Sequence, residues 1–440
     1  MIVPSSRLMV AVGVVAVPAA LIAALPGVFI WGYVLIATLV LVAIVDAMQA
    51  FRRLRGIAVQ AADVIRLWKD RPSAIELTIR NESQKAIDLR IGLSFPAEIA
   101  AREDEMFAVL PAGSEYSRIT WNCTPQRRGR YFLSPCAIER SSTLGLWLTR
   151  KLMPLKLEVR VYPNLAAERK KAPAFFKRGR LGVHGQRQIG KGREFEKLRE
   201  YAPGDSYDEI DWKATARRGH PITRVFQVER TQEVYIILDA SRLTARPVAS
   251  DPESSILERN ITASLLLALA AEKQGDLFGL VTFSDRVHDF VRARNGNAHY
   301  DACREALYTL HPRIVTPDFD ELFTLLRLRL RRRALLIFLT ELDDPILAES
   351  LSRNVKLLRH HLVLVGMAKP QGSRPLFEAS EVKDTDGVYQ ELAGHILWNK
   401  LREFGQVLRR QGVRFSLLDA DTLGPELASI YVDLKQRQLL

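Results

Sequence analysis

The pattern of hydrophobic and polar positions changes character three times along this 440-residue chain. Leu8 to Leu25 is an almost unbroken apolar run. Pro26-Gly27 interrupts it, and Val28 to Val45 is a second run with Trp31 and Tyr33 near its start and Asp46 closing it. Each is close to the roughly 20 residues that a helix needs to cross a bilayer. A signal peptide accounts for the first run but not the second. The Pro-Gly between them leaves room only for a tight turn, so the pattern predicts a two-helix transmembrane hairpin over 1–50. Arg7 precedes it, Arg52, Arg53 and Arg55 follow it, and the turn carries no charge. The positive-inside rule places both ends, and everything after them, in the cytoplasm.

From Ile57 to about Pro163 the period drops to two. Ala74-Ile75-Glu76-Leu77-Thr78-Ile79-Arg80 alternates strictly, as a half-buried strand does. Asn81-Glu82-Ser83-Gln84 is turn chemistry, and Ala86 to Phe95 returns. Tyr116 to Asn122, Gly129 to Ile138 and Leu155 to Tyr162 supply further strands. Short strands at this spacing predict a small antiparallel β-sandwich over 56–165.

From Val234 the pattern alternates between apolar strands and longer amphipathic stretches. Val234-Tyr235-Ile236-Ile237-Leu238-Asp239 reads as a central parallel strand whose carboxylate meets a crevice. Strands at Leu277 to Phe283, Ala334 to Thr340, Leu362 to Met367 and Val413 to Leu418 follow. Helices are expected at Glu253 to Lys273, His299 to Leu310, Phe319 to Arg331, Ile346 to His360, Tyr389 to Arg410 and Glu426 to Lys435. Alternating β and α units predict a multidomain chain that ends in an α/β doubly wound, Rossmann-like domain over 233–440.

Between the two folded regions, 166–232 joins a basic, glycine-rich linker to a stretch dense in charge and aromatics. Phe195, Leu198 and Tyr201 fall on one face of a short helix, which Pro203-Gly204 ends. Ser206 with Glu209 makes a capping-box pattern for a second helix. That helix closes with Arg217, Arg218 and a capping Gly219. Ile222 to Glu229 reads as an edge strand or lead-in. The plainest reading is a well-capped surface hairpin of two helices.

Gly192-Arg193-Glu194-Phe195, Leu198-Arg199 followed by Tyr201 and Pro203-Gly204-Asp205, and Ile210-Asp211-Trp212-Lys213 running to Arg217 resemble the signature of the domain-of-unknown-function 58 family. Members are bacterial or archaeal, membrane-anchored, and carry a von Willebrand factor A-like domain. They are often encoded beside a MoxR-type AAA+ ATPase. The resemblance implies a multi-pass protein of the cytoplasmic membrane with its soluble part in the cytoplasm. It also implies an AAA+ ATPase partner, and the signature residues as the partner surface. Arg127-Arg128-Gly129-Arg130-Tyr131 resembles the family's β-domain. Ser142-Thr143-Leu144-Gly145-Leu146 departs from the Asp-Pro-Phe-Gly-Leu type element usual there. In von Willebrand A-like domains an Asp-x-Ser-x-Ser element, a distant Thr and a later Asp surround a divalent cation. By resemblance those positions fall here on Asp239, Ser241, Thr316 and Glu341, with Leu243 in place of the second Ser. This is a degenerate set for Mg²⁺, to which Asp343 or Asp344 could add an oxygen.

Composition adds three limits. The net charge of +13 permits an anionic membrane surface, an acidic partner or nucleic acid. No nucleic-acid recognition fold accompanies the basic residues Arg178, Arg180, Arg187, Lys191 and Arg193, so nucleic acid is not expected. Cys123, Cys136 and Cys303 are too few and too scattered for a disulfide framework or a zinc site. Gly185 to Lys191 fits the first positions of a phosphate-binding loop, but Gly192 stands where its hydroxyl should be. The eight histidines form no metalloprotease pattern, and no nucleophile elbow is present. A non-enzymatic binding module is therefore expected. The alternative is a hydrolase or nucleotide-binding enzyme using the acids Glu194, Glu200, Asp205 and Asp211.

Overall fold

A computed structural model describes residues 1–23, 29–50, 54–83, 85–165, 189–203, 206–227, 232–376 and 385–437. The chain divides into two compact units, Met1–Asn164 and Leu165–Leu440.

The first unit opens with a short strand, β1 (Ile2–Pro4), and two apolar helices, α1 (Ser6–Ala23) and α2 (Phe29–Ala50), which pack on each other. Residues 24–28, with Pro26-Gly27, lie outside the described residues. The expected pair of spans is met in part. Ile30–Ala50 is long and apolar enough to cross a membrane, whereas α1 is a shorter apolar helix. It also contains Pro18, which removes one internal hydrogen bond. Only 17% of the α2 window is buried, so it is not a core helix of this unit. Its exposed Trp31, Tyr33, Leu41 and Met48 need an apolar surrounding.

The strands are β2 (Ile57–Ala61), β3 (Val64–Trp68), β4 (Ser73–Asn81), β5 (Ile87–Leu93), β6 (Ile99–Ala101) and β7 (Glu105–Leu110). They continue with β8 (Tyr116–Pro125), β9 (Gly129–Leu133), β10 (Cys136–Ser141), β11 (Trp147–Met153) and β12 (Leu157–Tyr162). One sheet runs β1-β11-β10-β5-β7, another β2-β4-β8-β6, and a third β3-β12-β9. The alternation predicted for β4 is realised: Ile75, Leu77 and Ile79 are wholly buried in a core shared with β5, β8, β10 and β12. The expected single strand from Gly129 to Ile138 is two. Ser134-Pro135 separates them, because proline cannot donate to a ladder.

The helices are built into this unit at both ends. β1 pairs antiparallel with β11. At the far end of α2, the buried Asp46 accepts hydrogen bonds from Ser142 Oγ at 2.5 Å, Leu144 N at 3.1 Å and Leu146 N at 3.3 Å. Trp147 Nε1 donates to Ala43 O at 2.8 Å, and Thr149 Oγ1 to Ala50 O at 3.1 Å. The loop that departs from the family pattern is thus the seat of the last turns of α2.

In the second unit the predicted helical hairpin is corrected. Its first half is a strand, β13 (Ile189–Glu200), paired antiparallel with β14 (Ile222–Gln227). The apolar spacing of three suggested a helix, but acids at even and bases at odd positions from Arg193 to Glu200 also alternate at the strand period. An isolated helix this short has little stability of its own, and pairing with β14 decides the matter. The second half is a 3-10 turn (Tyr207–Glu209) and then α3 (Trp212–Arg218). Ser206 makes no capping hydrogen bond; the cap is Asp211, which accepts from Ala214 N at 2.9 Å. Gly219 closes α3 in the left-handed region as expected.

The remainder is the doubly wound α/β domain. Its elements are β15 (Glu233–Asp239), a small ribbon of β16 (Pro247–Val248) and β17 (Asp251–Ser255), α4 (Ile256–Lys273), β18 (Leu277–Phe283), β19 (Val287–Arg294), α5 (Asn297–Tyr308) and α6 (Phe319–Arg329). Then come β20 (Ala334–Leu339), α7 (Pro345–Asn354), β21 (Leu362–Ala368), α8 (Thr385–Arg410), β22 (Arg414–Leu418) and α9 (Leu423–Gln436). The sheet order is β19-β18-β15-β20-β21-β22, parallel except for β19 at one edge. The antiparallel β19 was not expected from the sequence. Alternate residues of β15 feed two cores: Val234, Ile236 and Leu238 meet α4, α5 and α9, while Tyr235 and Ile237 meet α6, α7 and α8.

Candidate functional site

The strand order reverses between β15 and β20, and a crevice opens there beyond the carboxyl ends of the strands. Asp239 ends β15 and Thr340 follows β20. The Asp239 carboxylate is fully buried. It accepts from Ser241 N at 2.8 Å and from Thr340 Oγ1 at 2.6 Å. Thr244 Oγ1 donates to Asp239 O at 2.9 Å, and Ser241 Oγ accepts from Leu243 N at 3.3 Å. Burial pushes the Asp239 carboxyl above its ordinary range, against the hydrogen bonds from Thr340 and Ser241.

Glu341 is also buried. It accepts from Ala368 N at 3.0 Å and pairs with Arg246 Nη2 at 3.2 Å. The same guanidinium pairs with Asp343 Oδ2 at 2.7 Å and donates from Nε to Leu243 O at 3.2 Å. Burial pushes Glu341 up to about 8, with Arg246 opposing. Thr316 is exposed, on a segment tied to the crevice by Arg313 N donating to Ala240 O and Arg242 N to Val315 O.

These residues do not fit a resident divalent cation. The oxygens of Asp239 already receive an amide and a hydroxyl, and Glu341 and Asp343 already face a guanidinium. Among the described residues no group of three or more His, Cys, Asp or Glu side chains is placed to hold a metal ion. Arg246 supplies the positive charge instead. Sequence reading missed it, because a lone arginine seven positions beyond an aspartate carries no pattern. Thr340 was in view only as the end of the expected strand from Ala334.

Ser284, buried at the end of β18, was also missed. Its hydroxyl lies 2.6 Å from Asp285 Oδ1 and 2.7 Å from His288 Nε2. It has one proton to give. The Ser284 hydroxyl holds Asp285 below the usual carboxylate range, and burial, followed by Arg313, lowers His288. Donation to Asp285, with the imidazole donating to Oγ, satisfies all three groups. In that arrangement the trio ties the turn that follows β18.

The signature forms a separate cluster. Ile210 is buried and bridges to Thr223, Asp211 N donates to Ile222 O at 2.8 Å, and Ile222 N donates to Thr215 Oγ1 at 3.0 Å. Arg224 pairs with Asp211 at 3.2 Å. Ala214 N, then Arg224 with Lys213, holds the Asp211 carboxyl low against partial desolvation. Tyr201 stacks on Tyr207 with ring centres 5.9 Å apart. Leu198 and Arg199 are half-buried; Pro203 and Arg217 are exposed. Arg193, Glu194 and Phe195 lie on the backbone of β13. Gly204, Asp205, Arg178, Arg180, Arg187 and Gly185 to Gln188 lie outside the described residues. All three cysteines are free and buried, and burial pushes Cys123 and Cys136 up to about 11 and Cys303 up to about 12.

Residues 197–385 match the family model described as "Protein of unknown function DUF58", so the expected resemblance holds over that stretch. "Uncharacterized protein Rv1480" of Mycobacterium tuberculosis (strain ATCC 25618 / H37Rv) is 26% identical over 159 residues, 36% of this chain and 49% of that protein. "Uncharacterized protein YeaD" of Bacillus subtilis (strain 168) is 27% identical over 103 residues, 23% of each. This chain thus spans half or less of the curated relatives it matches. An aerotolerance-related membrane protein from Bacteroides fragilis NCTC 9343 aligns with a TM-score of 0.28 at 13% identity, covering 47% of this chain and 99% of that one. The SpRpn10 VWA domain aligns with a TM-score of 0.29 at 11% identity, covering 46% and 95%.

Proposed function

We propose that this chain is a membrane-anchored protein-binding module that faces the cytoplasm, is not an enzyme, and serves as adaptor to a MoxR-type AAA+ ATPase in envelope or protein-complex maturation. One observation carries the binding role. Tyr207 and Trp212 stand 74% and 67% exposed on a turn that Asp211 and Ile210 lock to β14. Tyrosine and tryptophan on a rigid support are the side chains that dominate interfaces once a partner covers them. The anchor rests on the largely unburied apolar surface of α2, with α1 packed beside it as the second pass. The cytoplasmic side rests on Arg7 and on Arg52, Arg53 and Arg55 flanking the pair. The identity of the partner rests on family resemblance alone.

The test is photo-crosslinking in native membranes from a benzoylphenylalanine placed at Trp212, with a second at the still more exposed Ile314 as control. An AAA+ ATPase recovered from position 212 and not from 314 is the expected result. Its absence from 212 removes the partner. Labelling of a cysteine introduced at Ser114 from the outside of intact cells would reverse the topology.

A further inference from the structure

The sheet of the second unit stops at β22. Among the described residues this strand pairs with β21 alone, and no described strand lies along its outer edge. Lys369 N donates to Leu418 O at 2.7 Å, which turns Leu418 toward β21. Alternation along the strand then turns the amides and carbonyls of Phe415 and Leu417 outward.

A cavity of about 720 Å³ lies along this edge, lined by Trp398, Arg402 and Arg409 of α8, Phe415 and Leu417 of β22, and Ile430 of α9. That is within the ~300–1,000 Å³ of ordinary ligand clefts. Gly405 keeps α8 close to the strand, since a Cβ there would come within 2.8 Å of the Phe415 ring. The α8 side of the groove is basic. Arg402 lies 5.3 Å over the Trp398 ring, and neither it nor Arg409, both exposed, has a carboxylate partner among the described residues. Glu426, the acid at the rim, is already engaged by Asp419 N and Thr422 Oγ1.

We propose that the β22 edge takes an extended acidic peptide segment of a partner protein as an added strand. The segment's main chain pairs with the outward groups of Phe415 and Leu417. Alternate apolar side chains fill the groove beside Trp398 and Ile430, and its carboxylates meet Arg402 and Arg409. The groove shares no residue with the crevice or the signature, so this binding stands apart from the proposed ATPase contact.

The experiment uses the full chain in detergent micelles and a fluorescent short peptide alternating glutamate and valine. Two controls replace its glutamates by lysine or methylate its backbone nitrogens. The glutamate peptide is expected to bind and both controls to fail. Arg402→Glu with Arg409→Glu should weaken binding about tenfold or more, because two attractive contacts are lost and repulsion is introduced. Both substitutions are on the surface, so the unfolding midpoint should hold. No binding, binding that ignores the charge reversal, or equal binding of the methylated peptide overturns the proposal. So does loss of self-association on charge reversal without peptide binding, which would make a second copy the occupant. Crosslinking from position 212 is read separately, so either reading can fail alone.

Discussion

Arg246 decides the character of the crevice. Its guanidinium faces one buried and one half-buried carboxyl group, at 3.2 and 2.7 Å. Arg246→Met keeps most of the volume and removes the charge. Because the guanidinium is 41% exposed, a loss of about 1–3 kcal/mol in urea unfolding is expected, below that of a wholly buried pair. An unchanged midpoint would mean that the charge is dispensable. Glu341 gives a pH signature. Folded, it keeps its proton up to about 8; unfolded, it ionises near 4.5. Between those values the native state binds a proton that the unfolded state has lost, so stability falls as pH rises through the window and is level outside it. Glu341→Gln should flatten that fall, and a parallel pH profile would refute it. Asp239 stood out because it closes an apolar run, as a strand end at a crevice does, and Ser241 entered through the resemblance to an Asp-x-Ser-x-Ser element. Arg246 and Thr340 were not legible, since their partners come from different strands.

At the level of elements, the signature shows how local pattern can mislead. Apolar positions three apart and a Ser-Glu cap both indicate helices, yet β14 lies opposite and takes the first half as a strand. Asp211 outcompetes Ser206 because its carboxylate reaches the amide of Ala214. The central sheet was easier to read, since β15, β18, β20 and β21 are mostly apolar over lengths that suit strands. Within β18, Gly279 lies flush against the neighbouring strand. A Cβ there would fall 2.4 Å from the Tyr235 ring and 3.0 Å from Ala293 N. Neither can yield freely, because Tyr235 Oη accepts from Ala293 N at 3.1 Å. Gly279→Ala should therefore cost about 1–3 kcal/mol or more through overpacking. Calorimetry would show it as a lower midpoint, and a midpoint equal to that of the parent chain would contradict it.

For the whole molecule, alternation of strands and helices was enough to predict a doubly wound sheet. The antiparallel β19 was hidden because its alternating, half-polar run resembles a loop. The joint between α2 and the sandwich was also hidden, since nothing in the sequence links Asp46 to the loop from Ser142 to Leu146. Asp46→Leu removes the acceptor of one hydroxyl and two amides. A loss of about 1–3 kcal/mol is expected, with faster protease cutting in the 142–147 loop of the detergent-solubilised chain. Cutting at the parent rate would show the joint to be incidental.

That joint also imposes a schedule. Ser142 lies 96 residues after Asp46. A ribosome adding about 5–20 residues per second makes the donors roughly 5–20 s after their acceptor. Throughout that interval α2 exists with its carboxylate unanswered, and the helix can settle into its final place only when the eleventh strand of the sandwich is being made.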